Sequence, residues 1–176
     1  KQFIVLNISR QTGKTTTVSV YALWYAMFHP DKTIGIVSNK QSSAVDILNR
    51  FKIMYEELPV WLKPGVREYQ KLGIEFDNGT RILVSATSQD AFRGRTLNLL
   101  ICDEFAHVPK NIQESFWSAN YPAISKSEEG KIVLISCVAG DTFVFTNNGP
   151  KEIKSFYSGN DVNCQKIDSY NVFGKN

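Results

Sequence analysis

The chain has 176 residues, of which 43% are hydrophobic, and its formal net charge at pH 7 is +3. This composition is typical of a folded globular protein and argues against an intrinsically disordered chain. The longest apolar run, at residues 21–28, is too short to span a bilayer, so we expect no membrane association. The mild positive charge permits contact with DNA but does not require it. Three widely spaced cysteines, Cys102, Cys137 and Cys164, indicate a reducing cytosol rather than a disulfide framework.

Residues 1–136 alternate between predicted strands and predicted helices. Short, continuous apolar strands separated by helices are typical of a mostly parallel sheet that is covered on both faces, so we predict an α/β fold. The predicted strands are 3–8, 33–38, 73–76, 81–84, 97–102 and 131–135, and the predicted helices are 14–28, 42–58 and 111–119.

The sequence pattern changes after Ser136. Residues 138–146 alternate between apolar and polar side chains, and residues 147–150, Asn-Asn-Gly-Pro, predict a turn. Helical periodicity is missing from this part of the sequence. We therefore predict a domain boundary after Ser136, with an α/β domain at residues 1–136 and a short all-β segment at residues 137–176.

A candidate phosphate-binding loop follows the first predicted strand and precedes the first predicted helix. In a loop of this kind, successive backbone N–H groups and the positive end of the helix bind the phosphates of ATP. Lys14 is predicted to reach the β- and γ-phosphates, and the Thr15 hydroxyl is predicted to hold Mg²⁺. The motif usually begins with a glycine, whereas this chain has Ile8 there. The predicted nucleotide-binding residues of the loop are Ser9, Arg10, Gln11, Thr12, Gly13, Lys14 and Thr15.

Two carboxylates, Asp103 and Glu104, follow the apolar residues 99–102. In open α/β sheets, ligands bind at the carboxyl ends of the strands, where these two side chains are expected. We interpret Asp103 as a ligand of Mg²⁺ and Glu104 as the base that orients and deprotonates the attacking water. The alternative is an acidic cap on the next helix, since Asp and Glu are favoured there. The phosphate loop roughly ninety residues upstream favours the ATPase interpretation.

These motifs together resemble the ATPase domain of the large terminase subunit of tailed phages, a P-loop NTPase core that packages double-stranded DNA into a prohead. In that family the first glycine of the loop is also lost, and an arginine follows the serine, as Arg10 does here. The resemblance implies partners, namely the portal, the small terminase subunit and further copies in a ring, and a location in the host cytoplasm. It extends over residues 7–136 and includes the segments 35–37, 57–59, 62–65, 77–80 and 103–106.

The resemblance also assigns roles to two arginines. It implies that Arg10 senses the γ-phosphate within its own subunit, and that Arg93 reaches the ATP of a neighbouring subunit as an arginine finger. A planar guanidinium can stabilise the charge that develops on the phosphoryl oxygens. The alternative for Arg93 is a solvated loop residue beside Gly94. Three parts of the family pattern are missing: the upstream adenine motif, the nuclease domain and the Thr-rich coupling motif expected after residues 131–136.

In place of the coupling motif, the chain continues with Cys137-Val138-Ala139-Gly140-Asp141-Thr142, which resembles the first block of inteins. An intein of the Hint-like all-β fold begins with a cysteine that attacks the preceding carbonyl, here that of Ser136. The resemblance therefore implies that Cys137 is a splicing nucleophile and that residues 137–176 are the N-terminal segment of an intein. The alternative is a buried cysteine that opens a β-hairpin.

The intein machinery is incomplete in this chain, because residues 137–176 contain no histidine. Either the intein continues beyond residue 176, or it is split and needs a separate C-terminal half. We also expect the strand at 131–135 to end near the γ-phosphate, so that the unspliced chain hydrolyses ATP poorly. Two other functions stay open: a helicase-like DNA-dependent ATPase, and a split-intein precursor whose main activity is trans-splicing.

Overall fold

The structure is a computed structural model that describes residues 2–7, 13–127, 129–136, 143–146 and 149–152. The strands are β1 (Gln2–Asn7), β2 (Thr33–Ser38), β3 (Val66–Gln70), β4 (Gly73–Phe76), β5 (Arg81–Ala86), β6 (Leu99–Asp103), β7 (Lys131–Ser136), β8 (Phe143–Thr146) and β9 (Gly149–Glu152). The α-helices are α1 (Lys14–Phe28), α2 (Gln41–Glu56) and α3 (Lys110–Ser125), and two short 3₁₀ helices are Val60–Leu62 and Phe105–His107.

Seven strands form the main sheet in the order β1-β7-β6-β2-β5-β4-β3. The pairs from β1 to β5 are parallel, and β4 and β3 complete the sheet as antiparallel neighbours. The prediction of an α/β fold with a mostly parallel sheet is therefore confirmed. Strand β7 lies between β1 and β6, so the first strand of the sequence meets its partner only near residue 131.

The sheet is covered on both faces, as predicted. All five residues of β6 are buried, and they alternate between the two faces because successive side chains of a strand point in opposite directions. Leu99 and Ile101 belong to one hydrophobic core, together with buried residues of α1 and α2. Leu100 and Cys102 belong to the other core, together with buried residues of α3.

Two elements differ from the sequence prediction. Helix α3 ends at Ser125, whereas the predicted helix ended at residue 119, because α3 continues through Pro122. Burial of Ala123 and Ile124 offsets the hydrogen bond that the proline cannot donate. Strand β3 was not predicted, because all five of its residues are exposed and show no apolar periodicity.

A turn at Asp77-Asn78-Gly79, a sequence that favours a hairpin turn, connects β4 to β5 at the amino ends of the parallel strands. Gly79 adopts φ 81°, a left-handed conformation that favours glycine. The turn packs on the connection between α1 and β2, where the Asn78 side chain donates to the carbonyl of Ala26 at 2.9 Å. The Thr80 hydroxyl also donates to the carbonyl of His29 at 2.7 Å.

Beyond the main sheet, β8 and β9 form an antiparallel pair in which Thr146 lies opposite Gly149. The two residues between them, 147 and 148, lie outside the described residues, as does most of the predicted all-β segment. Among the described helices, none is both long enough and apolar enough to cross a membrane.

Candidate active site

The parallel strands bring the two predicted motifs to one edge of the sheet. Asn7, at the end of β1, pairs with Ser136 at the end of β7. Asp103, at the end of β6, pairs with Ile135 of the same strand β7. The carboxyl end of β1 and the acidic pair at the end of β6 are therefore separated by the width of one strand, β7. This arrangement confirms that β7 ends at the carboxyl edge between the two motifs.

Helix α1 begins at this edge without a side-chain cap. Gly13 is its N-cap residue and adopts φ 79°, and no acidic residue stands in the first turn. A Cβ atom at Gly13 would meet nothing within 4 Å, so the backbone conformation, and not crowding, favours glycine here. The first N–H groups of α1 therefore have no side-chain cap at the positive end of the helix dipole. This is a favourable place for an anion.

Lys14 and Asp103 interact electrostatically across this edge. Burial raises the pKa of Asp103 above its ordinary value, and the nearby Glu104 carboxylate raises it further, whereas the Lys14 ammonium and the backbone amide of Glu104 lower it. The net effect is a raised pKa. Two residues roughly ninety positions apart in the sequence are thus close enough in the fold to influence each other's charge.

Two side-chain oxygens at the carboxyl edge are buried without a partner. Oδ1 of Asp103 and Oγ of Ser136 accept or donate no hydrogen bond within the described part of the chain. A buried polar atom without a partner is unfavourable unless something else binds it. The Asp103 carboxylate and the Thr15 hydroxyl are hard oxygen ligands of the kind that Mg²⁺ prefers. These residues therefore fit a magnesium ion that is bound mainly by water and phosphate oxygens.

The described residues contain no cluster of three or more His, Cys, Asp or Glu side chains that could hold a metal alone. Mg²⁺ usually keeps several waters and binds through one or two carboxylates and the phosphates of a substrate, so it does not need such a cluster.

Glu104 has a strained backbone. Its φ is 52° and its ψ is 32°, the left-handed helical conformation, which is rare for a residue other than glycine, asparagine or aspartate. It precedes the 3₁₀ helix Phe105–His107. The Phe105 side chain is buried in the hydrophobic core that also contains residues of α3. Strain of this kind persists where the surrounding structure imposes it, and it is common at active sites. Here the strained residue directly follows Asp103, the last residue of β6, so two consecutive carboxylates stand at the end of this strand.

A pocket of about 210 Å³ opens at the start of α1. Residues 13–16 at the start of α1 and Arg50 of α2 line it. Thr16 and Arg50 were not among the predicted site residues. The sequence gives little reason to select Arg50, because an arginine four residues after Asp46 on a helix usually suggests a surface ion pair.

Arg93 lies in the loop between β5 and β6 and is not among the described residues that line this pocket. Its guanidinium Nη1 is 3.2 Å from Oδ1 of Asp90, and both side chains are more than 70% exposed. The neighbouring Phe92 ring is buried, and it contacts Gly35 so closely that a Cβ atom there would lie 2.8 Å from the ring. The loop is thus anchored in the core while Arg93 projects into solvent.

The same loop is held by Asn120 of α3, which sequence reasoning did not identify. Its Oδ1 accepts the N–H of Phe92 at 3.1 Å, and its Nδ2 donates to the carbonyls of Ser88 at 3.3 Å and Gln89 at 3.1 Å. A third contact, to the carbonyl of Phe116, is 3.0 Å long. Because Asn120 is fully buried, these bonds fix the loop that carries Arg93.

The structure therefore brings together Gly13, Lys14, Thr15, Asp103 and Glu104 at one edge of the sheet. The other predicted site residues, Ser9, Arg10, Gln11, Thr12 and Cys137, lie outside the described residues.

The fold and this edge define an α/β protein with a mostly parallel sheet and a candidate phosphate site at the carboxyl ends of its strands. A family model, the N-terminal part of the T4likevirus-type terminase large subunit, matches residues 5–161. The chain therefore belongs to this family of terminase large subunits. The matched range runs past Ser136, and the domain boundary placed there stays a prediction.

Solved structures of phage packaging proteins have the same fold. The large terminase ATPase domain of Thermus phage P74-26 superposes with a TM-score of 0.60 at 22% identity, covering 78% of this chain and 60% of that one. The N-terminal domain of the DNA packaging ATPase of bacteriophage phi29 gives 0.55 at 14% identity, with 80% and 74% covered. A large terminase from a thermophilic bacteriophage, solved in complex with ADP, gives 0.57 at 17% identity, with 77% and 33% covered.

At these identities the likeness shows the fold. The chain spans about three fifths of the Thermus phage domain and about a third of the ADP-bound terminase.

Proposed function

We propose that this chain binds and hydrolyses ATP at the carboxyl edge of its sheet, as the ATPase part of a large terminase subunit that drives the packaging of double-stranded DNA. Membership of the terminase family supports the packaging role, and the ADP complex of a structural neighbour supports nucleotide binding. The portal and the small terminase subunit are the proposed partners, with further copies of the subunit in a ring. The proposed location is the host cytoplasm.

In the proposed reaction, the N–H groups at the start of α1 and the Lys14 ammonium bind the phosphates. Thr15 and Asp103 would hold Mg²⁺, which when bound neutralises charge on the β- and γ-phosphate oxygens. Glu104 orients a water molecule and accepts its proton as the water attacks the γ-phosphorus. The bond from the γ-phosphorus to the β–γ bridging oxygen then breaks, and ADP and inorganic phosphate leave.

The observation that carries this proposal is the orphan Oδ1 of Asp103 beside Lys14. A buried carboxylate with an unpartnered oxygen, a lysine that lowers its pKa and an uncapped helix start meet at one edge. The backbone amide of Glu104 stabilises the ionised carboxylate, but Oδ1 of Asp103 is left without a partner among the described residues. The arrangement has the charge distribution that a magnesium–nucleotide complex requires.

Nucleotide binding tests the proposal directly. We expect the chain to bind ATP with Mg²⁺, and the Lys14→Ala variant to bind roughly 100-fold more weakly because it lacks a charge-assisted contact with phosphate. Lys110→Ala is the matched control, since Lys110 is the exposed first residue of α3 just as Lys14 is the first residue of α1. Equal dissociation constants for the two variants would contradict the proposed site.

Turnover tests the role of Glu104. Glu104→Gln keeps the shape of the side chain but cannot accept a proton, so phosphate release should fall by roughly 10²–10⁴-fold while ATP binding is retained. Glu114→Gln, an exposed change on α3, should have no effect. Because the intein proposal below expects weak turnover before splicing, both variants are compared in the spliced protein. Unchanged phosphate release from Glu104→Gln would exclude Glu104 as the base.

We further propose that Arg10 senses the γ-phosphate in its own subunit and that Arg93 acts on the ATP of a neighbouring subunit. The exposure of Arg93 on an anchored loop supports a role outside its own pocket. Mixed assemblies test this role: Arg93→Ala subunits, which keep Glu104, should regain turnover when mixed with Glu104→Gln subunits, which keep Arg93. A failure of the mixture to regain activity would contradict a role in trans.

We propose as well that Cys137 begins an intein segment. Its Sγ thiolate would attack the carbonyl carbon of Ser136, the amide C–N bond would break as the C–S bond forms, and the released amine of Cys137 would take up a proton. The pairing of Ser136 with Asn7 supports a link to catalysis, because an insertion after Ser136 begins at the phosphate edge. The unspliced chain should then hydrolyse ATP poorly, and near-normal turnover would contradict this.

Thiol trapping tests the splicing proposal. Incubation with dithiothreitol should cleave the thioester and release a fragment of residues 1–136, which mass spectrometry detects. Cys137→Ala should abolish the cleavage, and Cys164→Ala should leave it intact. Mixing the chain with a candidate C-terminal intein half should give a ligated product if the intein is split. Absence of both products would exclude Cys137 as a splicing nucleophile.

A further inference from the structure

Arg50 of α2 lines the pocket at the start of α1. Helices α1 and α2 lie side by side on one face of the sheet, where Ala22 of α1 and Ile47 of α2 share one hydrophobic core. Arg50 is exposed and stands one helical turn after Ile47, at the margin of this buried stripe. From there it lines the same pocket as Lys14 and Thr16.

Among the described residues, the side chain of Arg50 has no hydrogen-bond or ion-pair partner that would explain its position. Asp46 stands four residues earlier on α2, the spacing of an ordinary helical ion pair. Within the described part of the chain, however, no carboxylate oxygen lies within 4 Å of Arg50, and its guanidinium donates no hydrogen bond. The two sides of the pocket thus present Lys14, the positive end of α1 and an unpaired guanidinium.

Lys14 interacts with the Asp103 carboxylate, whereas Arg50 has no carboxylate within 4 Å among the described residues, so an anion at this pocket would balance the charge of Arg50. A guanidinium matches the oxygens of a phosphate with two parallel N–H donors, and this match is stronger and more directional than that of an ammonium. The volume of about 210 Å³ is below the roughly 300–1,000 Å³ of pockets that enclose a whole drug-sized ligand. The described lining therefore encloses a group the size of a phosphate chain rather than an entire nucleotide.

We propose that Arg50 binds the phosphate chain of the nucleotide from α2, opposite the N–H groups of α1. This proposal rests on the proposed function, in which the pocket holds ATP. In the proposed function, Lys14, Asp103 and Glu104 act at the γ-phosphate end of the nucleotide's phosphate chain. Arg50 reaches the pocket beside Thr16, which lies further along α1. It therefore contributes to the affinity for both ATP and ADP rather than to the cleavage step.

The test compares three probes that differ in the part of the nucleotide they carry: ATP, ADP and inorganic tripolyphosphate. Arg50→Gln should weaken the binding of all three by a similar factor, roughly 10- to 100-fold, because each retains the phosphates that the guanidinium contacts. Arg50→Lys should give intermediate dissociation constants, since it keeps the charge but loses the two parallel donors. Arg81→Gln, an equal change of charge at the opposite end of the strands, should leave all three unchanged.

The outcomes separate this proposal from the proposed function. If the wild-type chain binds none of the probes, both fail. If Lys14→Ala loses ATP binding while Arg50→Gln binds as the wild type does, only the role of Arg50 is overturned. If Arg50→Gln binds ATP more weakly but binds tripolyphosphate as the wild type does, Arg50 contacts the base or the ribose. This result would also overturn the proposed contact with the phosphates. Arg50 is exposed, and a thermal melt of each variant confirms that it folds.

Discussion

At the amino ends of the parallel strands, the turn at residues 77–80 gives its polar groups partners, whereas at the carboxyl ends Asp103 and Ser136 keep unpartnered oxygens in buried positions. The Thr80 hydroxyl alone donates to the carbonyl of His29 and accepts the N–H of Lys32. Both regions also contain a carboxylic acid in the left-handed conformation, Asp31 at φ 55° in one and Glu104 at φ 52° in the other.

The two ends of the strands thus differ in whether their buried polar groups have partners within the protein. Aspartate tolerates the left-handed conformation better than glutamate does, so Asp31 suits a structural turn and Glu104 is under strain. Orphan polar atoms and strain both lower stability, and functional sites are one place where structures retain them. The polar groups of the turn at residues 77–80 are satisfied within the protein, whereas the carboxyl edge keeps unpartnered oxygens, as the proposed phosphate site requires.

The largest effect should come from Asn120, a fully satisfied group that holds the loop near the carboxyl edge. Asn120→Leu leaves the N–H of Phe92 and the carbonyls of Ser88 and Gln89 without their partner, so unfolding free energy should fall by about 3 kcal/mol. Chemical denaturation measures this. Asn111→Leu, an exposed change on the same helix, is the control; equal losses would mean that the clamp contributes nothing.

The next effect concerns the satisfied turn itself. Thr80→Val keeps the side-chain shape but removes the hydroxyl, so it should lower the free energy of unfolding by about 2 kcal/mol. Thr96→Val, at an exposed position, should change it little. A loss at Thr80 no greater than the loss at Thr96 would remove the contrast between the two ends of the strands.

At the unsatisfied edge the sign should reverse. Burial raises the pKa of Asp103, so at neutral pH the ionised carboxylate destabilises the fold. Asp103→Asn should therefore raise the free energy of unfolding at pH 7 by about 1 kcal/mol in the absence of nucleotide, while weakening magnesium-dependent ATP binding. The advantage should be missing below the ordinary pKa of 3.8 and should grow as the pH rises through the raised pKa. Denaturant melts across this pH range measure it.

Tyr25→Phe is the matched control for that experiment, because the Tyr25 hydroxyl is also buried without a partner among the described residues but lies away from the phosphate edge. It should be neutral or stabilising and leave nucleotide binding unchanged. If Asp103→Asn lowers the free energy of unfolding at pH 7, the ionised Asp103 carboxylate does not destabilise the fold.

The smallest effect should be relief of backbone strain at Glu104. Glu104→Asn places a residue that tolerates the left-handed conformation, so stability should rise by about 0.5–1 kcal/mol. Glu104→Gln removes the same charge and keeps the strain, so the difference between the two thermal melts isolates the backbone contribution. Identical melts would show that the conformation is not strained.

The sequence predicts much of this fold, because the signals involved are local. An apolar run predicts β6, Asn78-Gly79 predicts the turn, and Gly13-Lys14 predicts the start of α1; the structure confirms all three. Strand β3 was not predicted because its exposed residues show no apolar periodicity. It forms a strand by pairing with β4.

The missed site residues depend on contacts between distant segments. Asn120 acts on a loop about thirty residues earlier, and its role exists only once α3 packs against the sheet. Arg50 has the sequence spacing of an ion pair with Asp46, and only the position of α2 beside α1 turns it toward the pocket. Lys14 and Asp103 lie near each other because both motifs follow strands, and parallel strands end at one edge.

The pairing of β1 with β7 also has a consequence for synthesis. Gln2 pairs with Lys131, so β1 gains this neighbour only after the long segment between the two strands has been translated. At about 5–20 residues per second, this delay is roughly 6–26 s. During that time an apolar strand has unpaired N–H and C=O groups, which makes it vulnerable to aggregation and a candidate for chaperone binding. Strand β7, which ends at the carboxyl edge between β1 and β6, is thus the last strand of the main sheet to be synthesised.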